Sequence, residues 1–135
     1  MCRDPIHRRK PLGRRVLVID DDLDIRTVLC DQLMALGFDV AQADNGQCGL
    51  ARLAFHSSHT QIHGILLDLH MPVLDGMAVL QELRQRHAQI PVIVMSATDD
   101  IHSLREAIQL GAQEYLLKPF DHELLKKNCL RFFLN

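Results

Sequence analysis

The chain has 135 residues, 47% of them hydrophobic and 24% charged, with a formal charge of −2 at neutral pH. That suffices for one globular domain with a full core and leaves no length for a second. No apolar run approaches the ~20 residues that a membrane-spanning helix needs, and the first residues lack the apolar centre of a signal peptide, so the sequence reads as cytoplasmic with no membrane partner.

The chain starts with a basic leader. Arg3, Arg8, Arg9, Lys10, Arg14 and Arg15 stand among the first fifteen positions with Asp4 as the only acid, so the remainder has nine basic and sixteen acidic residues, a formal charge of −7. A body that acidic argues against nucleic-acid binding by the domain itself. Positions 1–13, with Pro5, Pro11 and Gly13 and no sustained periodicity, read as a disordered, solvated leader; contact of its charges with phosphate is the alternative. Positions 14–133 read as a single domain.

Order begins with Val16, Leu17, Val18 and Ile19, a short buried strand that ends in Asp20, Asp21 and Asp22. Ile25, Val28, Leu29, Leu33 and Leu36 then recur at helical spacing, with Asp22 or a neighbour as cap and Gly37 as stop. Phe38 to Ala41 reads as a second strand, and Asn45-Gly46 turns the chain into a helix through Leu50, Leu53 and Ala54. That helix dissolves in the polar stretch His56 to His63. Ile65 to Asp68 reads as a third strand buried on both faces, followed by Pro72, a turn and N-cap at Asp75-Gly76, and a helix with Met77, Leu80 and Leu83 on one face. Pro91 to Met95 forms a fourth strand ending in Ser96-Ala97-Thr98. Asp99 or Asp100 opens a helix with Ile101, Leu104 and Ile108, closed by Gly111. Glu114 to Leu117 is the fifth strand, Lys118-Pro119 ends it, and a last helix starts near Asp121.

Five βα units in succession, joined by right-handed crossovers, predict an α/β fold. The expected form is a doubly wound five-stranded parallel sheet in the flavodoxin-like order 2-1-3-4-5, with five helices on its two faces. Aromatics are few, five Phe and one Tyr, so the core must be mostly Leu, Ile, Val and Ala. Cys2, Cys30, Cys48 and Cys129 are widely spaced with no CxxC pair and read as free thiols.

The polar residues fall on one rim of that sheet. Asp20 and Asp21 follow strand one, Asp68 ends strand three, Ser96 follows strand four and Lys118 follows strand five. With strands one and three adjacent, these residues converge on one cleft. A carboxylate at the end of a buried strand is costly unless paired, hydrogen-bonded or bound to metal, and three crowded carboxylates raise one another's pKa. A divalent cation removes the conflict, and oxygen-only ligands favour Mg²⁺. Lys118 adds a positive charge and Ser96 a hydroxyl donor, which together match the oxygens of a transferring phosphoryl group. Asp68 is then the nucleophile, its carboxylate attacking phosphorus to give an acyl phosphate.

At LVIDDD (17–22), ILLDLHMPVLDG (65–76), VIVMSA (92–97) and YLLKPF (115–120) the sequence resembles the receiver domains of two-component response regulators, over about residues 14–130. The resemblance implies that a phosphoryl group passes from a phosphohistidine on a sensor histidine kinase or phosphotransfer protein to Asp68. It implies Mg²⁺ held by Asp20, Asp21, Asp68 and the backbone carbonyl of His70, with Ser96, Lys118 and the amide of Ala97 on the phosphoryl oxygens. Tyr115 takes the place of the aromatic that turns inward as Ser96 moves, and Lys118-Pro119 that of a cis peptide. Such a domain is an autocatalytic phosphoacceptor with slow self-dephosphorylation, not a turnover enzyme. Added charge at the rim is expected to shift the helix after strand four, the fifth strand and the last helix, a surface read by an output domain, a partner or a second copy.

His70 and Thr98 depart from the commonest pattern and are expected to tune phosphate lifetime, with hydrolysis depending on pH near the histidine pKa of ~6.5. Competing readings are a helix cap for Asp20 to Asp22, plain packing for Tyr115, and a metal site or a solvated stretch at His56, His59 and His63. A phosphohydrolase of the haloacid-dehalogenase-like class would have an acid where His70 stands. A pseudo-receiver would lack an acidic residue or the lysine, and none is missing. The apolar end at Leu130, Phe132, Phe133 and Leu134 suits a fragment of a longer regulator better than a domain that stands alone.

Overall fold

The computed structural model describes residues 11–54, 61–71, 74–86, 89–97 and 99–134. The elements run β1 (Arg15–Ile19), α1 (Leu23–Leu36), β2 (Asp39–Ala43), α2 (Gly46–Ala54) and β3 (Gly64–Asp68). Next come α3 (Gly76–Arg86), β4 (Val92–Ala97), α4 (Ile101–Gln109), β5 (Glu114–Lys118) and α5 (His122–Phe133). All strand pairings are parallel and the sheet order is β2-β1-β3-β4-β5. This is the doubly wound fold that the sequence predicts.

Alternation of side chains along the strands builds the two cores. Leu17 and Ile19 of β1 face one way and join Ile65, Leu67, Val79, Leu80, Leu83 and Leu104, beneath α2, α3 and α4. Val16 and Val18 face the other way and join Leu29, Leu33, Leu66, Leu125 and Phe133, beneath α1 and α5. Every residue of β3 is buried. Among the described residues one aromatic pair, Phe38 and Phe133, packs edge-on with centroids 6.4 Å apart.

Several element ends are set by local chemistry. Asp22 caps α1, its carboxylate accepting from the amides of Asp24 and Ile25 at 2.9 and 3.2 Å, and Gly37 closes it in the left-handed region at φ 105°. A side chain there would be strained. Asp75 caps α3, Asp100 caps α4 and Asp121 caps α5.

Other ends differ from expectation because strand pairing decides them. β2 starts at Asp39, level with Arg15, and extends to Ala43, while Phe38 lies before it, buried, its amide donating to Leu33 O. β4 and β5 run on to Ala97 and Lys118, so Ser96 and Lys118 lie within strands and not after them. Leu12, expected in the leader, packs against the second core and donates to Gly37 O at 3.0 Å. His63 is no part of a solvated stretch: its Nδ1 accepts from the Arg15 amide at 3.0 Å, and burial, then Arg14 and Arg15, hold the imidazole below its usual pKa. Residues 1–10, His56, His59, Pro72 and Thr98 lie outside the described residues. Cys30 and Cys129 are buried free thiols and Cys48 an exposed one. Among the described residues no helix is long and apolar enough to cross a membrane.

Candidate functional site

Register places the site. Ile19 is level with Leu67 in the β1–β3 pair, so Asp20, next after Ile19, comes level with Asp68, one strand spacing or about 5 Å away. Asp68 is level with Met95, which puts Ser96 one step further out on β4. Lys118 leaves β5 level with Ala97, two strands from Asp68, and its four-carbon stem spans the gap. Residues up to 98 positions apart in sequence therefore meet on the carboxyl rim.

Asp20, Asp68 and Ser96 are buried while Asp21 is exposed. Lys118 Nζ donates to Asp20 Oδ2 at 3.0 Å and lies 3.4 Å from Asp68 Oδ2. The other Asp20 oxygen accepts from the Asp22 amide at 2.9 Å, and the other Asp68 oxygen accepts from the His70 amide at 3.1 Å. Ser96 Oγ lies 3.1 Å from His70 Nε2, and the same nitrogen meets Asp100 Oδ2.

One ammonium does not compensate this much negative charge. Burial and then the neighbouring Asp20 push the Asp68 carboxyl up to about 6, against the His70 amide and Lys118, which pull it down. Burial disfavours the charged form of Lys118, but the hydrogen bond to Asp20 and the charges of Asp68 and Asp20 outweigh it and raise its pKa. Oxygens of Asp20, Asp21 and Asp68 all lie within 4.8 Å of one another. An all-oxygen donor set with surplus negative charge fits a hard divalent cation.

Asp20, Asp21, Asp68, His70, Ser96 and Lys118 are thus gathered as the sequence suggests, and Ala97 stands beside Lys118 in the sheet. Tyr115 is not gathered with them: it is 42% exposed. Two residues in the assembly carry no sequence signal for it. Arg26 donates to Asp20 O at 2.7 Å and to Gln42 Oε1 at 3.0 Å, bracing the backbone that carries the first carboxylate. Asp100, legible only as a cap, holds His70.

Known proteins are similar to this chain in sequence and in fold. Residues 16–129 match the response regulator receiver domain. A probable transcriptional regulator ycf27 of Porphyridium aerugineum is 38% identical over 83% of this chain and 45% of its own length. The DNA-binding transcriptional regulator NtrC of Salmonella typhimurium is 42% identical over 78% of this chain and 22% of its own length. The chain thus spans less than half the length of these relatives. Among solved structures, the receiver domain of the Francisella response regulator 1452 superposes with a TM-score of 0.80 at 30% identity, covering 89% of this chain and 96% of that one. The Vibrio cholerae chemotaxis protein CheY4 gives 0.79 at 26% identity, covering 88% and 98%.

This chain belongs to the response regulator receiver domain family of two-component signalling. Its members are signalling domains and not turnover enzymes.

Proposed function

We propose that Asp68 accepts a phosphoryl group from the phosphohistidine of a sensor histidine kinase or phosphotransfer protein. The observation that carries this reading is the buried carboxylate of Asp68 beside that of Asp20, with the Lys118 ammonium 3.0 Å from Asp20 and 3.4 Å from Asp68, at the open end of the sheet. In the reaction a carboxylate oxygen of Asp68 forms a bond to phosphorus as the phosphorus–nitrogen bond breaks, and the electron pair leaves with the imidazole. Asp20, Asp21 and Asp68, with the carbonyl of His70, would hold Mg²⁺, which supplies charge neutralisation at the phosphoryl oxygens. Lys118 supplies a second positive charge, while Ser96 and the amide of Ala97 donate to oxygens of the product acyl phosphate. Water later attacks phosphorus, the bond from phosphorus to the Asp68 oxygen breaks, and inorganic phosphate leaves. The domain is therefore an autocatalytic phosphoacceptor with slow self-dephosphorylation.

The acyl phosphate adds about −1.5 to −2 charges and three acceptors at the rim. Ser96 follows the new acceptor, and Tyr115 and the α4–β5–α5 surface shift with it. Ile101, Ile108, Tyr115 and Leu124 are exposed on these elements and offer apolar contacts to an output domain, a partner or a second copy. The relatives named as transcriptional regulators suggest transcription as the output controlled. The domain itself, with its acidic body, is assigned no nucleic-acid or membrane contact.

Incubation with Mg²⁺ and a small acyl-phosphate donor, followed by intact mass measurement, tests the assignment. One phosphoryl adduct is expected on the wild type, none without Mg²⁺ and none on Asp68→Asn. An adduct that survives Asp68→Asn would move the acceptor elsewhere.

A further inference from the structure

The sequence makes His70 a titratable neighbour of the phosphoacceptor, and the structure gives it a partner that no short motif shows. Its Nε2 meets Asp100 Oδ2 and lies 3.1 Å from Ser96 Oγ. Asp100 is itself held, with Oδ1 accepting from the Ser103 amide at 3.3 Å and its own amide donating to Ala97 O at 3.3 Å. The Ser103 side chain bonds the same carboxylate and is the first cause that holds the carboxyl below its usual pKa. An ionised carboxylate offers only lone pairs, so the ring nitrogen facing it carries hydrogen. Ser96 Oγ, at that same nitrogen, is then the acceptor. In the neutral tautomer the single hydrogen on Nε2 is shared between the two oxygens, so neither contact needs protonation of the ring. Because the His70 amide also donates to Asp68 Oδ1, one residue ties the acceptor carboxylate, the end of β4 and the N-cap of α4 together.

We infer that Asp100 and His70 form a latch for the unphosphorylated state. Asp100 is a positioning residue: it fixes His70 as the Nε2–H donor to Ser96 and keeps the Ser96 hydroxyl and the first turn of α4 from moving toward Asp68. The inference rests on the phosphoacceptor reading. Ser96 can approach a phosphoryl oxygen on Asp68 only by leaving the imidazole that Asp100 anchors, so the latch opposes the switch by the strength of a half-exposed pair. Asp100→Asn separates latch from cap, since Asn caps a helix as well as Asp does but carries no charge to select a tautomer.

Ring-nitrogen NMR of the full chain at alkaline pH, where imidazoles are neutral, reads the latch directly. The wild type should show His70 with hydrogen on Nε2, and Asp100→Asn should show both tautomers in exchange, with the urea midpoint of unfolding lowered by no more than the loss of that one partly exposed contact accounts for. Beryllium fluoride with Mg²⁺, a non-covalent mimic of the acyl phosphate, reads the coupling. Asp100→Asn and His70→Gln should each bind it about two- to fivefold more tightly than the wild type, on the scale of one partly exposed hydrogen bond. The double variant should bind no more tightly than the better single one. An unaltered His70 tautomer in Asp100→Asn, wild-type or weaker binding in both single variants, or additive gains in the double variant would overturn the latch alone. A wild type that binds no beryllium fluoride would overturn the phosphoacceptor reading and the latch with it.

Discussion

Asp68 occupies a position that is unfavourable for an ionised side chain and useful for one that must react. Burial and Asp20 raise its pKa to about 6 from the usual carboxylate value of 3.8, so the folded state binds its proton more tightly than the unfolded chain does. For a raised folded pKa the contribution to stability is fully present below the unfolded value and is lost as pH rises through the folded one. In metal-free protein, Asp68 therefore costs stability above about pH 6. Removing its charge with Asp68→Asn should stabilise the fold at neutral pH by on the order of 2–3 kcal/mol. The advantage should vanish as pH falls through the window from about 6 to about 4. Urea unfolding of both proteins across that range measures the difference. Mg²⁺ should close the gap at neutral pH by binding the folded wild type, and chelation should restore it. A neutral-pH advantage that persists below pH 4 would assign the effect to packing and not to charge.

The turn from β3 to α3 delivers Asp68 to the rim, and Gly76 lets the helix start that close to the strand. A Cβ at Gly76 would lie 2.2 Å from Asp68 O and 2.6 Å from Leu69 Cα, both backbone atoms that no rotamer change can move. Gly76→Ala should destabilise the domain by about 2–3 kcal/mol, as overpacking does. It should also slow acyl-phosphate formation beyond what the lost stability explains, because the displaced backbone carries Asp68, the proposed acceptor. Initial rates under conditions where the variant remains folded separate the two effects. The helix ends set by such local chemistry were readable in sequence: Asp22, Asp75, Asp100 and Asp121 act where a capping acid precedes an apolar period, and Gly37 where a left-handed residue is needed. The rim residues were readable for a related reason, since a charge after a buried strand has one place to go. Pairing decides what was not readable. Phe38 looks like strand but packs before it, and Ser96 and Lys118 look like turn but remain in the ladder. The contacts of Arg26 with Asp20 O and of Asp100 with His70 arise only when separate elements meet, and no spacing in the chain encodes them.

Across the molecule, the firm strands lie at the centre of the sheet, and both edge strands, β2 and β5, bury little. β3 is buried along its whole length and β1 nearly so, and both are paired on two sides. β5 is an edge strand with one fully buried residue, Leu116, and α4 above it buries only Leu104 and Ala107, leaving Ile101 54% exposed. Segments that bury little apolar surface open or shift at low free-energy cost, whereas doubly covered strands do not. New charge on Asp68 meets Ser96 and Lys118, which stand on β4 and β5, and the strain should spread to the weakly packed edge. Backbone amide shifts recorded with and without the acyl phosphate should therefore change through residues 96–97, α4, β5 and the first turn of α5. They should stay nearly fixed in β2 and α2, which border the other edge of the sheet and share no switch residue. Changes confined to the loops that carry Asp20 and Asp68, with α4 and β5 silent, would show that the phosphoryl charge is absorbed at the rim and that the α4–β5–α5 surface is not the one a partner reads.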